Sequence, residues 1–226
     1  MRKKSRFKTI VTSAIILAVI LILSTVVYLT PKKTPIQSAF VNAAKEGVCL
    51  TFNVYQGTIE VEETLYVLST YGVTATFFLG GCWVAKNPQT VRKIIDSGNV
   101  IGTHGYYHYD HASLSYEQNV KEIKKSVDVL IENGVSDVKL FAPPSGSYCE
   151  NCVKAVDDLG LTMVLWSVDT IDWRDQDEEL IKNRVLSKVK KGDIILMHPT
   201  PATVRALPDI IEGILAKDLK ILPLDG

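Results

Sequence analysis

The chain has 226 residues, with 25 Lys and Arg against 25 Asp and Glu, so its formal net charge is zero. That length suits one domain plus an appendage. The neutral balance removes any electrostatic reason to expect nucleic acid as a partner.

Residues 1–8, MRKKSRFK, form a tail with five basic residues and no acid. Residues 9–30, TIVTSAIILAVILILSTVVYLT, carry no charge. Such a run is long enough to cross the roughly 30 Å hydrocarbon core of a bilayer as a helix. The basic tail then sets the N-terminus in the cytoplasm. The expectation is a single-pass protein of the cell membrane, with its domain on the extracytoplasmic side. A cleaved signal peptide is the alternative, but its apolar region is ordinarily shorter and closely followed by small residues. Residues 31–45 read as a tether containing two prolines, and 46–226 as one globular domain. A domain of that size holds a core without disulfide support.

Within the domain, short apolar stretches predict strands at 48–54, 73–79, 100–105, 139–143, 162–168, 193–198 and 219–224. Their lack of polar alternation is how strands covered on both faces read. Helical patterns lie between them. The clearest is 115–133, with Val120, Ile123, Val127, Leu130 and Ile131 at spacings of three and four. Ser115 is its expected N-cap, Gln118 completes a capping box, and the Asn-Gly at 133–134 ends it. Residues 87–98 and 203–217 behave similarly, with Pro208 predicting a kink or a late start in the latter. Repeated β-α units imply an α/β fold with a mainly parallel sheet and right-handed crossovers. The spacing suits a closed or nearly closed (β/α) barrel, with an open doubly wound sheet as the alternative. Both bind ligands at the C-terminal ends of strands. Asn53, His104, Asp169, Asp172 and His198 fall there.

The stretch THGYYHYDH places His104, His108 and His111 just past a strand. Histidines four apart on a helical turn face one side and can chelate a metal, typically zinc. If this loop curls helically, His111 becomes a third ligand, with Asp110 or Asn53 behind it. The competing reading leaves His111 exposed and idle. His198 closes the strand 193–198, and Asp172 follows another. A carboxylate beside a histidine orients the ring and raises its pKa, as a general acid requires. An N-cap role for Asp172 is the plain alternative.

Cys149 and Cys152 form CENC, a spacing open to a redox pair, half a zinc site or a local disulfide. Cys49 and Cys82 read as core residues. Tyr106, Tyr107 and Trp173 are candidates for stacking on a ring-shaped ligand, with core packing the competing role for Trp173.

Six motifs in order resemble the polysaccharide deacetylases, the NodB-homology fold of carbohydrate esterase family four. LTFNVYQG stands for T-F-D-D-G-P, followed by ATFFLGG. IGTHGYYH stands for the H-[ST]-x-x-H metal motif, and APPSG for R-P-P-[YF]-G. VLWSVDTIDW and GDIILMH complete the set. The first motif is most similar to the sporulation-associated, PdaB-like branch, where T-F-D-[IV]-x-x-G occurs. The resemblance implies an irregular (β/α) barrel of the NodB type. It also implies a metal-dependent deacetylase acting on N-acetylated sugars of peptidoglycan or chitin-like polymers. Its divalent metal, zinc or cobalt, is held by one Asp and two His.

Carried over by position, His104 and His108 match the metal histidines. His198 matches the general acid and Asp172 its partner. Pro143, Pro144, Gly146 and Trp173 match substrate-side positions. Three positions depart. Asn53 replaces the base, Val54 the metal aspartate, and Ala142 the arginine that holds the base. An amide cannot accept a proton at neutral pH. The expected functions are therefore a deacetylase with altered base chemistry, or a non-catalytic protein holding cell-wall glycan or a wall-assembly partner. A thiol–disulfide protein is the third.

Overall fold

The computed structural model describes residues 40–41 and 47–224. The tail at 1–8, the expected membrane span at 9–30 and most of the stretch read as tether lie outside the described residues. Among those described, no helix is long and apolar enough to cross a membrane.

The strands are β1 (Phe40–Val41), β2 (Cys49–Val54), β3 (Thr76–Leu79), β4 (Val100–Thr103), β5 (Leu140–Phe141), β6 (Thr162–Val164), β7 (Val168–Asp169) and β8 (Ile194–Met197). They form one sheet in the order β1-β6-β5-β4-β3-β2-β8-β7, and every pairing is parallel. The helices are α1 (Ile59–Thr70), α2 (Gly81–Lys86), α3 (Pro88–Asp96), α4 (Tyr116–Glu132), α5 (Glu150–Asp158), α6 (Glu178–Leu186) and α7 (Pro201–Leu215).

The result is an α/β half-barrel. Among the described residues the two edges of the sheet are not hydrogen-bonded to each other, so the barrel expected to be closed or nearly closed is open on one side, as the irregular NodB-type barrel allows. The run 162–168, read as one strand, explains the opening. It splits into β6, beside β1 at one end of the sheet, and β7 at the other end. Leu165, Trp166 and Ser167 carry the chain across. Four Cα steps reach at most about 14 Å, so the gap stays narrow.

Four further differences from the sequence reading have local causes. Phe40–Val41, inside the stretch read as tether, pairs with Met163–Val164 as an edge strand. Residues 219–224 make only an isolated bridge from Ile221 to Val48, since the Leu224 N–H that would extend the ladder goes to Thr76 Oγ1 instead. α7 begins at Pro201, capped by Thr200, and runs through Pro208. α4 has the predicted capping box, with Ser115 and Gln118 bonding reciprocally. Its buried stripe, however, is Asn119, Glu122, Ile123, Ser126 and Leu130, while Ile131 is exposed.

The period of two along β2 sorts its side chains. Leu50, Phe52 and Val54 join Phe77, Leu79 and Met197 in a cluster with Leu65, Ile94 and Ile210 from the helices. Cys49, on the other face, joins Phe78, Leu140, Ala142, Val164 and Ile194 inside the half-barrel. Asn53 lies two pleats on from Cys49 and so faces inward, whereas Val54 faces the helices.

Candidate active site

A cleft of about 1060 Å³ opens at the C-terminal ends of the strands. Asn53, His104, His108, Asp169, Trp173 and His198 line it, as their positions after strands predict.

One wall is built by the loop after β7 and the start of α7. Asp172 is completely buried. Its Oδ1 accepts from His198 Nδ1 at 2.7 Å. Its Oδ2 accepts from the His198 backbone N–H at 2.7 Å and from Thr203 Oγ1 at 2.8 Å. Three donors compensate the burial of the carboxylate. They also fix the His198 tautomer, with the proton on Nδ1 and Nε2 left to the cleft. The loop carries Ile171 at φ +54°, a strained conformation for a β-branched residue. Its N–H is held by Asp169 Oδ1 at 2.8 Å. Asp172 does not cap a helix. That role belongs to Asp177, which accepts from Leu180 N–H at 3.0 Å at the start of α6.

The other wall comes from β2, β4 and β5. Asn53 is buried at the end of β2, and its Oδ1 has no hydrogen-bond partner. Ala142 and Val54 are buried apolar residues. His104 Nδ1 donates to the Ala142 carbonyl at 2.8 Å, which leaves Nε2 as an acceptor. Burial, and then the neighbouring His108, pushes the His104 pKa down to about 3. Burial also lowers that of His108. His108 sits at φ +59°, with its ring edge-on to His104 at 5.2 Å and to Tyr55 at 4.9 Å. Burial, followed by Cys82, raises Tyr55 to about 12, so its phenol keeps its proton.

The loop 104–115 is not helical. His111 is neither exposed nor turned to share a metal with His104 and His108. It is fully buried, edge-on to Phe141 at 5.1 Å. The Asn119 amide group donates to the carbonyls of His111, Leu114 and Ser115. Asn119 Oδ1 therefore accepts from His111 Nδ1, at 2.7 Å. His111 Nε2 is left buried and unpartnered. It lies 3.0 Å from where a Cβ on Gly105 would stand. Gly105 occupies the Ser/Thr position of H-[ST]-x-x-H, so the His111 ring takes the space that side chain would use. Glu122 braces the same loop from α4, accepting from the Tyr106 and Tyr107 N–H groups at 2.9 and 2.5 Å.

The remaining positions divide. Trp173 is 61% exposed at the cleft rim, free of the core role considered for it. Pro143 and Pro144 are buried, and their loop gives Ser145 to the cleft wall. Gly146 makes room for Trp166, whose Cη2 would lie 2.5 Å from a Cβ there. Sequence reasoning missed Tyr55, Ser145, Trp166 and Gln176 as lining residues. Trp166 was hidden inside an apparent strand. Tyr55 and Gln56 follow Asn53 and Val54 at the end of β2, which was the available signal.

A family model described as polysaccharide deacetylase matches residues 41–164. The chain belongs to the polysaccharide deacetylase family. It is 36% identical over 176 residues to the uncharacterized protein YlxY of Bacillus subtilis, covering 78% of this chain and 55% of that protein. The chain thus spans about half of that relative. It is 33% identical to a peptidoglycan-N-acetylglucosamine deacetylase of Bacillus cereus, covering 80% of this chain and 67% of that protein. Among solved structures, the CE4 family pseudoenzyme BA3943 of Bacillus anthracis matches with a TM-score of 0.80 at 33% identity. That match covers 83% of this chain and 68% of the pseudoenzyme chain. A BA3943 mutant described as having restored enzymatic activity matches equally, with a TM-score of 0.80.

The donor set does not fit the metal of this deacetylase family. His104 and His108 are adjacent, but the third ligand position holds Val54, packed among the helix-side apolar residues. Among the described residues, no group of three or more His, Cys, Asp or Glu side chains is placed to hold a metal ion.

Proposed function

We propose that this is an envelope protein of the deacetylase family that engages N-acetylated peptidoglycan or a related amino-sugar polymer without hydrolysing it by the family's route. The observation that carries this reading is the state of Asn53. It stands at the base position, buried, with an amide that cannot take a proton and an oxygen left unpartnered. The base, its arginine and the metal carboxylate are all replaced. What remains is a cleft of sugar size with acceptors at His104 and His198 and aromatic rings at Trp166 and Trp173. Rings with polar edges suit sugar faces, and imidazole acceptors suit hydroxyl and amide N–H groups. The names of the B. cereus deacetylase and of the pseudoenzyme support the two halves of this reading.

A second reading, residual deacetylation, rests on the intact His198–Asp172 pair. It would need that pair to act as both base and acid, with zinc or another divalent metal bound through His104 and His108 alone. Retention on purified peptidoglycan tests the first reading. The chain should be held by N-acetylated wall and released from chemically de-N-acetylated wall. Equal retention on both would refute recognition of the acetyl group.

Residues 9–30 complete the proposal as a single-pass anchor, with the domain outside the cytoplasm. Protease added to protoplasts should then digest the domain, and membranes should retain the full-length chain. A soluble chain starting near Ala43 would refute the anchor.

A further inference from the structure

Cys149 and Cys152 take no part in the cleft. They bracket the first turn of α5. Cys149 is its N-cap, with extended backbone at φ −138° and ψ 179°, and Cys152 stands three residues on. Residues three apart on a helix have Cβ atoms about 5–6 Å apart, and a disulfide needs about 3.5–4.5 Å. An N-cap side chain folds back toward the third helical residue, so the closure falls on a rotatable end of the helix. The Cys149 side chain makes no capping hydrogen bond to α5. Cys149 is partly exposed, while Cys152 is buried against Phe141, Ile123 and Val156. Cys149 Sγ lies 3.7 Å from the His111 carbonyl, and Ser147 Oγ donates to Asp110 Oδ1 at 2.5 Å. These two contacts tie the 143–149 segment to the histidine loop.

We propose that Cys149 and Cys152 are a redox pair, oxidised to a disulfide by exchange with a small or protein-borne disulfide. The Cys149 thiolate attacks one sulfur of that disulfide, whose S–S bond breaks and releases a thiolate. Cys152 then attacks the Cys149 sulfur, giving up its proton to the departing thiolate and expelling the second half of the substrate. Two cysteine thiols are oxidised to one cystine, and one substrate disulfide is reduced to two thiols. Burial, with Cys149 adding to it, pushes the Cys152 thiol up to about 12. The second step is therefore the slow one, and the mixed disulfide on Cys149 accumulates. Oxidation removes the S–H donor at His111 O, which keeps Asn119 Nδ2 at 3.3 Å. One of the two ties between the loops is released.

The test uses the full chain in mild detergent with oxidised glutathione. Trypsin places both cysteines in one peptide, 140–154. That peptide should first gain one glutathione at Cys149 and then lose it, ending two hydrogens lighter than the reduced form. Cys149→Ser keeps a good N-cap and should show neither adduct nor loss. Cys152→Ala should hold the adduct permanently. A peptide that stays reduced while Cys49 or Cys82 reacts would overturn the proposal. So would glutathione taken up by Cys152 in Cys149→Ser.

Discussion

On the β7–β8 wall, both oxygens of Asp172 are occupied, by two groups of His198 and the Thr203 hydroxyl. On the β2–β4–β5 wall, two buried polar atoms, Asn53 Oδ1 and His111 Nε2, have no partner. Both walls sit on the same parallel sheet, and both contain a strained non-glycine residue, Ile171 on one and His108 on the other. The scaffold positions side chains equally well on each side, so the difference lies in charge. A buried Arg without its carboxylate, or the reverse, leaves an uncompensated charge worth several kcal/mol. Asn53 with Ala142 removes both charges together and leaves only a neutral amide short of one hydrogen bond, a much smaller penalty.

Restoring charge to the weaker wall should have the largest effect. Where zinc is shown to be bound through His104 and His108, Asn53→Asp with Ala142→Arg should raise acetate release from N-acetylated oligomers. A general base contributes about 10²–10⁴-fold, which bounds the gain. Asn53→Asp alone should gain less, because its charge lacks the balancing arginine. Unchanged rates in the double variant would mean that the walls differ in more than charge.

Damage to the stronger wall comes next. Asp172→Ala leaves the His198 and Thr203 donors without their acceptor and should lower stability by about 3 kcal/mol in urea unfolding. Asn53→Ala should cost under about 1 kcal/mol, since it removes an unsatisfied group. Equal losses would erase the contrast.

A pH series sharpens it further. The folded pKa of His104 is about 3 against an ordinary 6.5, chiefly through burial. Below pH 6.5 the unfolded chain takes up a proton there that the folded chain refuses. Stability is therefore full above that pH and falls as the pH drops toward 3. Burial shifts His108 and His111 the same way. The urea midpoint should decline between about pH 6.5 and pH 4, and His104→Gln should flatten the decline.

The smallest effect belongs to the rim. Trp173→Ala should weaken glycan binding several-fold while changing stability by less than about 0.5 kcal/mol, as for other exposed positions. A large stability loss would return Trp173 to the core.

The sequence made the strands and their C-terminal polar residues legible, because apolar runs and motif order survive without knowledge of the fold. His104, His108 and His198 line the cleft, and Asp172 braces His198 from behind. Trp166 did not stand out, since a short apolar run does not reveal that its two halves pair at opposite edges of the sheet. The face of α4 was misjudged because Asn119, Glu122 and Ser126 are polar, yet the first two are buried by the loop they hold and Ser126 is buried where it accepts from Thr103 of β4. His111 was misplaced for the same reason: its partner is Asn119, and the space it fills exists because residue 105 is glycine.

The central claim, glycan engagement without hydrolysis by the family's route, is met most directly by titrating an N-acetylglucosamine oligomer calorimetrically in the presence of zinc and assaying acetate in the same cell. The account predicts saturable binding and no acetate. Acetate accumulating beyond one equivalent of the native chain, or no binding at all, would contradict it.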